Sequence, residues 1–188
     1  MGLRHAVLAA LLDGAATGYE LSKNFDVGMA EFWHARRQQL YAELTKLEQA
    51  GLVSGREIIQ QGRPNKRVQS LTEAGRAELA EFAATPSDPQ FLRDDLLVKA
   101  YAVDVTDGSA LIDQLAQRAE QSQIKIARLD RVLARLSGND EDAFLADAER
   151  IGPYLTAVRG RMFEEETIRW CTWAMQVLRK RQGGTPDN

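Results

Sequence analysis

Between Arg36 and Arg67 the chain carries seven basic side chains, Arg36, Arg37, Lys46, Arg56, Arg63, Lys66 and Arg67. Only three acidic residues, Glu43, Glu48 and Glu57, share that window, which leaves it at +4 within a chain whose formal charge is −3. Guanidinium and ammonium groups neutralise backbone phosphates, and arginine and glutamine bond the edges of bases. Arg36, Arg37, Gln38, Gln39 and Tyr41 follow one another at the start of a helical pattern, with Lys46 further along it. A helix that enters a major groove by its first turn presents its reading side chains in that way. Arg63, Lys66 and Arg67 flank the Gly62-Arg63-Pro64-Asn65 turn, from which they reach phosphates or a minor groove.

Other chemistries lack their residues. A single cysteine, Cys171, and two histidines, His5 and His34, offer no multi-ligand metal site, and no glycine-rich phosphate loop or nucleophile elbow occurs. We therefore expect a protein that is not an enzyme and takes no cofactor or metal. Cys171, between two tryptophans, reads as a buried hydrophobe. The apolar run after Met1 stops at Asp13-Gly14, too short to span a bilayer. The expectation is a cytoplasmic chain without a membrane partner.

The elements that must position these side chains follow from periodicity. Leu3 to Leu12 forms an apolar helix. Thr17 stands three residues before Glu20, the spacing of a capping box, and opens a second helix carrying Tyr19, Leu21 and Phe25 that runs towards Gly28. A third helix runs from about Ala35 to Ala50, with Leu40, Leu44 and Leu47 on one face and Gly51 as its left-handed cap. Two short runs, 52–59 and 66–71, flank the turn as a β-hairpin, and Thr72 caps a fourth helix through Ala74, Ala77, Leu79 and Phe82. Three helices, a hairpin and a further helix make a winged helix-turn-helix.

The prolines of Ala84-Thr85-Pro86-Ser87-Asp88-Pro89 mark a linker, so residues 1–85 form a DNA-binding domain and residues 86–188 a helical dimerisation domain. The first part holds 10 basic and 10 acidic residues and the second 14 and 17, which places the whole negative excess in the second. From Ser109 to Leu136 one long helix carries Leu111, Leu115, Ser122, Ile126, Leu129, Leu133 and Leu136 as a stripe with a polar break. A second long helix, disturbed by Gly152-Pro153, shows Ala148, Ile151, Leu155, Val158 and Met162 on one face. Its end, Ile168 to Leu178, is apolar almost all round and needs cover on more than one side. A second copy supplies it, in a coiled-coil-like dimer through Leu115, Ile126, Leu129, Leu133, Val158, Met162, Trp170 and Met175. Glu164-Glu165-Glu166 reads as a solvated face or as partners for Arg159, Arg161 or Arg169. Trp33, Trp170 and Trp173 are candidates to line a pocket for an aromatic or drug-like effector, beside the plainer reading that all three pack in cores or interfaces.

The stretch Leu40-Tyr41-Ala42-Glu43-Leu44-Thr45-Lys46-Leu47-Glu48-Gln49-Ala50-Gly51-Leu52-Val53, with Gly62-Arg63-Pro64-Asn65-Lys66-Arg67 and Leu71-Thr72-Glu73-Ala74-Gly75, resembles the PadR family of bacterial transcriptional regulators. Gly18-Tyr19-Glu20-Leu21 and Phe32-Trp33 match the same pattern. The resemblance implies a homodimeric winged-helix repressor on a pseudo-palindromic operator in double-stranded DNA. The turn departs from the family, whose members often have a more basic turn or a second proline. The alternative is a winged-helix protein-interaction module without DNA binding, which differs in its salt dependence.

Overall fold

The computed structural model describes residues 2–25, 29, 33, 35–59, 62, 65–89 and 93–183. Two compact units, Met1–Pro89 and Gln90–Asn188, divide the chain.

The first unit runs α1 (Leu3–Ala10), a single 3-10 turn, β1 (Ala16–Thr17), α2 (Gly18–Asn24), α3 (Arg37–Gln49), β2 (Val53–Ile58), β3 (Lys66–Leu71) and α4 (Glu73–Ala84). The expected capping box opens α2: Glu20 N–H donates to Thr17 Oγ1 at 3.2 Å, and Thr17 N–H to Glu20 Oε2 at 2.7 Å. On α3, Leu40, Leu44 and Leu47 are buried, in one core with Val7, Leu8 and Leu11 from the α1 segment and Leu21 and Phe25 around α2. Spacings of four and three put those leucines on one face, so α3 must turn its polar side outward. Gly51 ends the helix with φ 72°, a conformation that a side chain disfavours.

The hairpin pairs antiparallel from Val53↔Leu71 to Ile58↔Lys66. It is not alone: β1 adds to β3 with Ala16 opposite Gln69, giving the order β1-β3-β2. A lone two-stranded hairpin is marginal in water, and the extra strand ties the wing to the helices beside it. At the base of the wing, Thr72 Oγ1 donates to Gly51 O at 2.8 Å and accepts from Gly75 N–H at 3.1 Å. Thr72 N–H reaches Leu52 O at 3.1 Å. A Cβ at Gly75 would overlap the Leu52 carbonyl oxygen, so the Leu-Thr-x-x-Gly spacing is a close backbone approach. Gly75→Ala is expected to cost about 1–3 kcal/mol, the range for forcing extra atoms into a packed site. Denaturant melts of the two proteins check this.

Tyr19, on the same helical segment as the buried Leu21 and Phe25, is 51% exposed. Phe82 lies at the surface of α4 and stacks on His5 with ring centroids 4.0 Å apart.

The second unit contains α5 (Asp95–Tyr101), which sequence periodicity missed, α6 (Ser109–Ser137), α7 (Glu141–Asp147) and α8 (Gly152–Gly183). Leu111, Leu115, Ala119 and Cys171 form its innermost cluster, against which Leu96, Ala100, Trp170, Met175 and Leu178 pack. Cys171 is buried as expected, and burial pushes its thiol pKa up, away from a reactive thiolate. The chain breaks before Gly152-Pro153, so Ala148 and Ile151 fall outside α8. Pro153 sits in the first turn, where a missing N–H costs nothing. The inward face of α8 is therefore Tyr154, Ala157, Glu164 and Cys171, while Leu155 and Met162 are 58% and 57% exposed.

The glutamate run is corrected in part. Glu165 does pair with Arg161 at 3.1 Å. Glu164, however, is buried and partnered by α6: Lys125 Nζ lies 2.8 Å from Oε1, and Arg118 Nη1 and Ser122 Oγ lie 2.9 and 2.7 Å from Oε2. The polar break in the α6 stripe at Ser122 is where this carboxylate enters.

Candidate nucleic-acid interface

The start of α3 is built outward from its buried face. Arg36 is the extended residue before the helix, and its N–H donates to Gln39 Oε1 at 2.9 Å. Arginine has no acceptor to complete a reciprocal cap, so Gln39 commits its oxygen and keeps its amide N–H groups. Arg36, Arg37, Gln38 and Gln39 are all exposed. Arg37 Nε donates to Ser22 Oγ at 3.4 Å, and its guanidinium carbon lies 5.7 Å from the centre of the Tyr19 ring. Lys23 Nζ lies 5.0 Å from the same ring. Tyr41, also exposed, lays its ring against Gly18, where any Cβ would overlap it. Lys46 is exposed, 3.7 Å from Glu43.

On the wing, Lys66 is half-buried, Arg56 is exposed on β2 opposite Val68, and Arg67 is exposed. Arg63 and Pro64, like His34 and Phe32, lie outside the described residues. Arg67 pairs with Glu48 near the end of α3 through Nε to Oε2 at 3.2 Å and through a shorter Nη2–Oε1 bond. The Arg67 guanidinium holds the Glu48 carboxyl below the usual carboxylate range against the effect of burial, with help from Gln69 and the Gly55 N–H. A Cβ at Gly55 would stand 2.5 Å from Arg67 Nε and 2.6 Å from Glu48 Oε1. One carboxylate thus ties α3 to both strands of the wing, packed close over Gly55.

This geometry sorts the cations. Among the described residues, Lys23, Arg36, Arg37, Arg56 and Lys66 form no ion pair, whereas Lys46 and Arg67 do. Cations without an ion pair, four of these five exposed and Lys66 half-buried, can neutralise an external polyanion. A paired one brings its own counter-charge. Sequence reasoning did not find Glu48 and Arg67 as a locking pair, since nothing local marks a contact made nineteen residues along the chain.

The candidate effector and dimer residues are placed as follows. Trp33 is half-buried against the core of the first unit, with its indole where a Cβ on Gly2 would stand. In the second unit Trp170 is half-buried and Trp173 is 60% exposed. Leu115 and Leu129 are buried within the chain itself, Ile126, Leu133, Val158 and Met175 are half-buried, and Met162 is exposed. No helix among the described residues is long and apolar enough to cross a membrane.

Two family models match the chain: the transcriptional regulator PadR-like family over residues 7–81, and the virulence activator alpha C-terminal domain over residues 92–179. A probable transcriptional regulator of Mycobacterium tuberculosis is 32% identical over 97% of this chain and all of its own length. The negative transcriptional regulator PadR of Bacillus subtilis is 25% identical over 95% of this chain and 98% of its own. Among solved structures, Vibrio cholerae virulence activator AphA is similar at 28% identity and a TM-score of 0.72, covering 96% of this chain and 99% of that one. Bacillus subtilis PadR in complex with operator DNA shares the fold with a TM-score of 0.81 at 24% identity, over 93% of this chain and 97% of that one. PadR with p-coumaric acid does so with 0.73 at 22%, over 94% of each chain.

Proposed function

The chain belongs to the PadR-like family of transcriptional regulators, and from that premise we propose that it is a homodimeric, operator-binding repressor, cytoplasmic and released by a small molecule. The start of α3 carries this reading. Its apolar face is consumed by the core, and Arg36, Arg37 and Gln38 stand exposed beside it with no acidic partner among the described residues. In the proposed complex that turn enters a major groove, where Arg36, Gln38 and Gln39 reach base edges and Tyr41 and Lys46 flank them. Lys66, with Arg63, holds phosphates from the wing. Arg67 arrives as half of an ion pair, its charge already offset by Glu48. The arrangement supports binding to an external polyanion.

The dimer reading rests on uncovered apolar surface in the second unit. Leu155, Met162 and Trp173 are exposed on α8, a surface that a second copy would cover; the half-buried Val158, Trp170, Met175, Ile126 and Leu133 and the buried Leu115 and Leu129 complete the proposed set. Two domains about a two-fold axis call for a pseudo-palindromic operator with half-sites one helical turn, or a multiple of it, apart. The sign of regulation follows the negative regulator among the relatives.

Selecting bound duplexes from a random pool with the full chain tests the function and yields the operator. The selected duplex should lose affinity steeply as salt rises. The absence of any complex at low salt would overturn the reading in favour of a protein-interaction module. The effector reading draws on a planar aromatic acid bound by the Bacillus subtilis neighbour and on Trp33, Trp170 and Trp173 here. Aromatic or drug-like compounds should quench tryptophan fluorescence and weaken operator binding together. Quenching with unchanged operator affinity would remove effector control.

A further inference from the structure

Resting on the reading of the first unit as a DNA-binding domain, we propose that Tyr19, Lys23 and Arg37 form a seat for one DNA backbone phosphate in each protomer, beside the recognition helix and separate from the wing. Tyr19 and Lys23 stand four residues apart on α2 and so share a face. Arg37 arrives from α3 and lands on the same ring, with its Nε held by the buried hydroxyl of Ser22. Two cations from different helices thus converge on one half-exposed ring at 5.0 and 5.7 Å, and neither has an acidic partner among the described residues. Gathering like charges brings the fold only weak cation–π attraction at an exposed site. An external anion turns the same arrangement to advantage.

Glu20, the one acid on α2, does not close the seat, because its carboxylate is turned back onto Thr17 in the capping box. The seat offers an ammonium, the remaining N–H groups of a guanidinium and the Tyr19 hydroxyl, which together suit a phosphate diester. Its place on α2 selects the duplex backbone as the source, since the first helix of a helix-turn-helix crosses the backbone while the second reads bases. Arg37 is thereby drawn to a phosphate, and Arg36 and Gln38 are left to discriminate sequence.

The test uses the full chain, a duplex selected by the wild-type protein and an unrelated duplex of equal length, titrated by fluorescence anisotropy over a salt series. Lys23→Ala removes one phosphate contact per protomer, so the log–log salt slope of a dimer should fall by about 1.8. At 0.1 M salt that corresponds to a loss of roughly 60-fold, similar for both duplexes. Lys23→Arg should keep the wild-type slope, and Tyr19→Leu, which removes the ring under Arg37, should reproduce part of the loss while Tyr19→Phe loses less. Melting curves confirm that each variant is folded. Wild-type slope and affinity in Lys23→Ala, or a loss confined to the selected duplex, would overturn the seat alone. If the wild-type protein binds neither duplex at low salt, the DNA-binding reading falls and takes the seat with it.

Discussion

Glu164→Ala is expected to destabilise the second unit by about 2–4 kcal/mol, because it breaks a buried ion cluster by removing the carboxylate at its centre. The carboxylate is 1% exposed and answers Lys125, Arg118 and Ser122 from α6. Without it, Lys125 and Arg118, both on α6, lose the buried carboxylate from α8 that answers them. Both are partly open to water and can turn outward, which keeps the cost below the full figure for a sealed charge. Burial drives the Glu164 carboxyl upward, but the hydrogen bonds from Lys125, Arg118 and Ser122 together outweigh it and leave the group below its ordinary value. The stabilisation is therefore complete above the unfolded glutamate value of about 4.3 and is lost as pH falls through the lower folded value. Denaturant melts at pH 7 and in a series below pH 4.5 should show wild type and variant converging as the solution becomes acid. An equal gap between them throughout that series would mean that Glu164 stabilises by packing and not as an anion. Glu164→Gln, which keeps the shape and one acceptor, should recover part of the loss.

The same residue shows where the sequence was readable and where it was not. The α6 stripe and its polar break were visible as a 3–4 spacing interrupted at Ser122, but what filled the break lay 42 residues away on another helix. Periodicity along one helix carries no information about which side chain arrives from its neighbour. The α3 face, the Thr17 box, the Gly51 cap and the hairpin were all legible because each is settled within a few residues by spacing, capping or turn chemistry. Two-residue β1 has no pattern to read, and α5 is too short for its period to emerge. Tyr19 shares its helix with apolar neighbours, but the contact that Arg37 makes with its ring from the next helix is not written in that stretch of sequence. For the candidate interface the sequence supplied the cations and their window. Which of them were already neutralised depended on Glu48 and Gly55, whose contacts form only when the wing folds back onto α3.

That distinction sets the size of the second effect: Arg36→Ala with Arg37→Ala is expected to reduce operator binding by a thousandfold or more while leaving the protein folded and its oligomeric state unchanged. Each arginine is exposed, without an ion pair among the described residues and outside the core, so truncation costs the fold only the long Arg37–Ser22 hydrogen bond and the Tyr19 ring contact. A dimer loses four of them. At about 1–3 kcal/mol for a good contact, even the lower bound gives roughly 4 kcal/mol, close to three orders of magnitude in affinity. The salt slope should fall as well, since at least the Arg37 contact is ionic. The matched control replaces Glu48 and Arg67 together by glutamine. That change removes one negative and one positive charge from the same ion pair, so it should leave the slope near the wild-type value even though Arg67 lies in the same basic window. Gel-shift titration at two salt concentrations, with sedimentation to follow the oligomer, reads all three proteins. Retained operator binding in the double alanine variant would mean that α3 is not the recognition helix. A slope lowered as much by the glutamine pair as by the alanine pair would mean that Arg67 leaves Glu48 for a phosphate when DNA arrives. With the expected result, an unchanged slope in the glutamine pair, the +4 surplus of this window ceases to be the operative quantity. What acts on DNA is the smaller set of cations that the fold leaves without a partner, and this comparison of two double variants counts them.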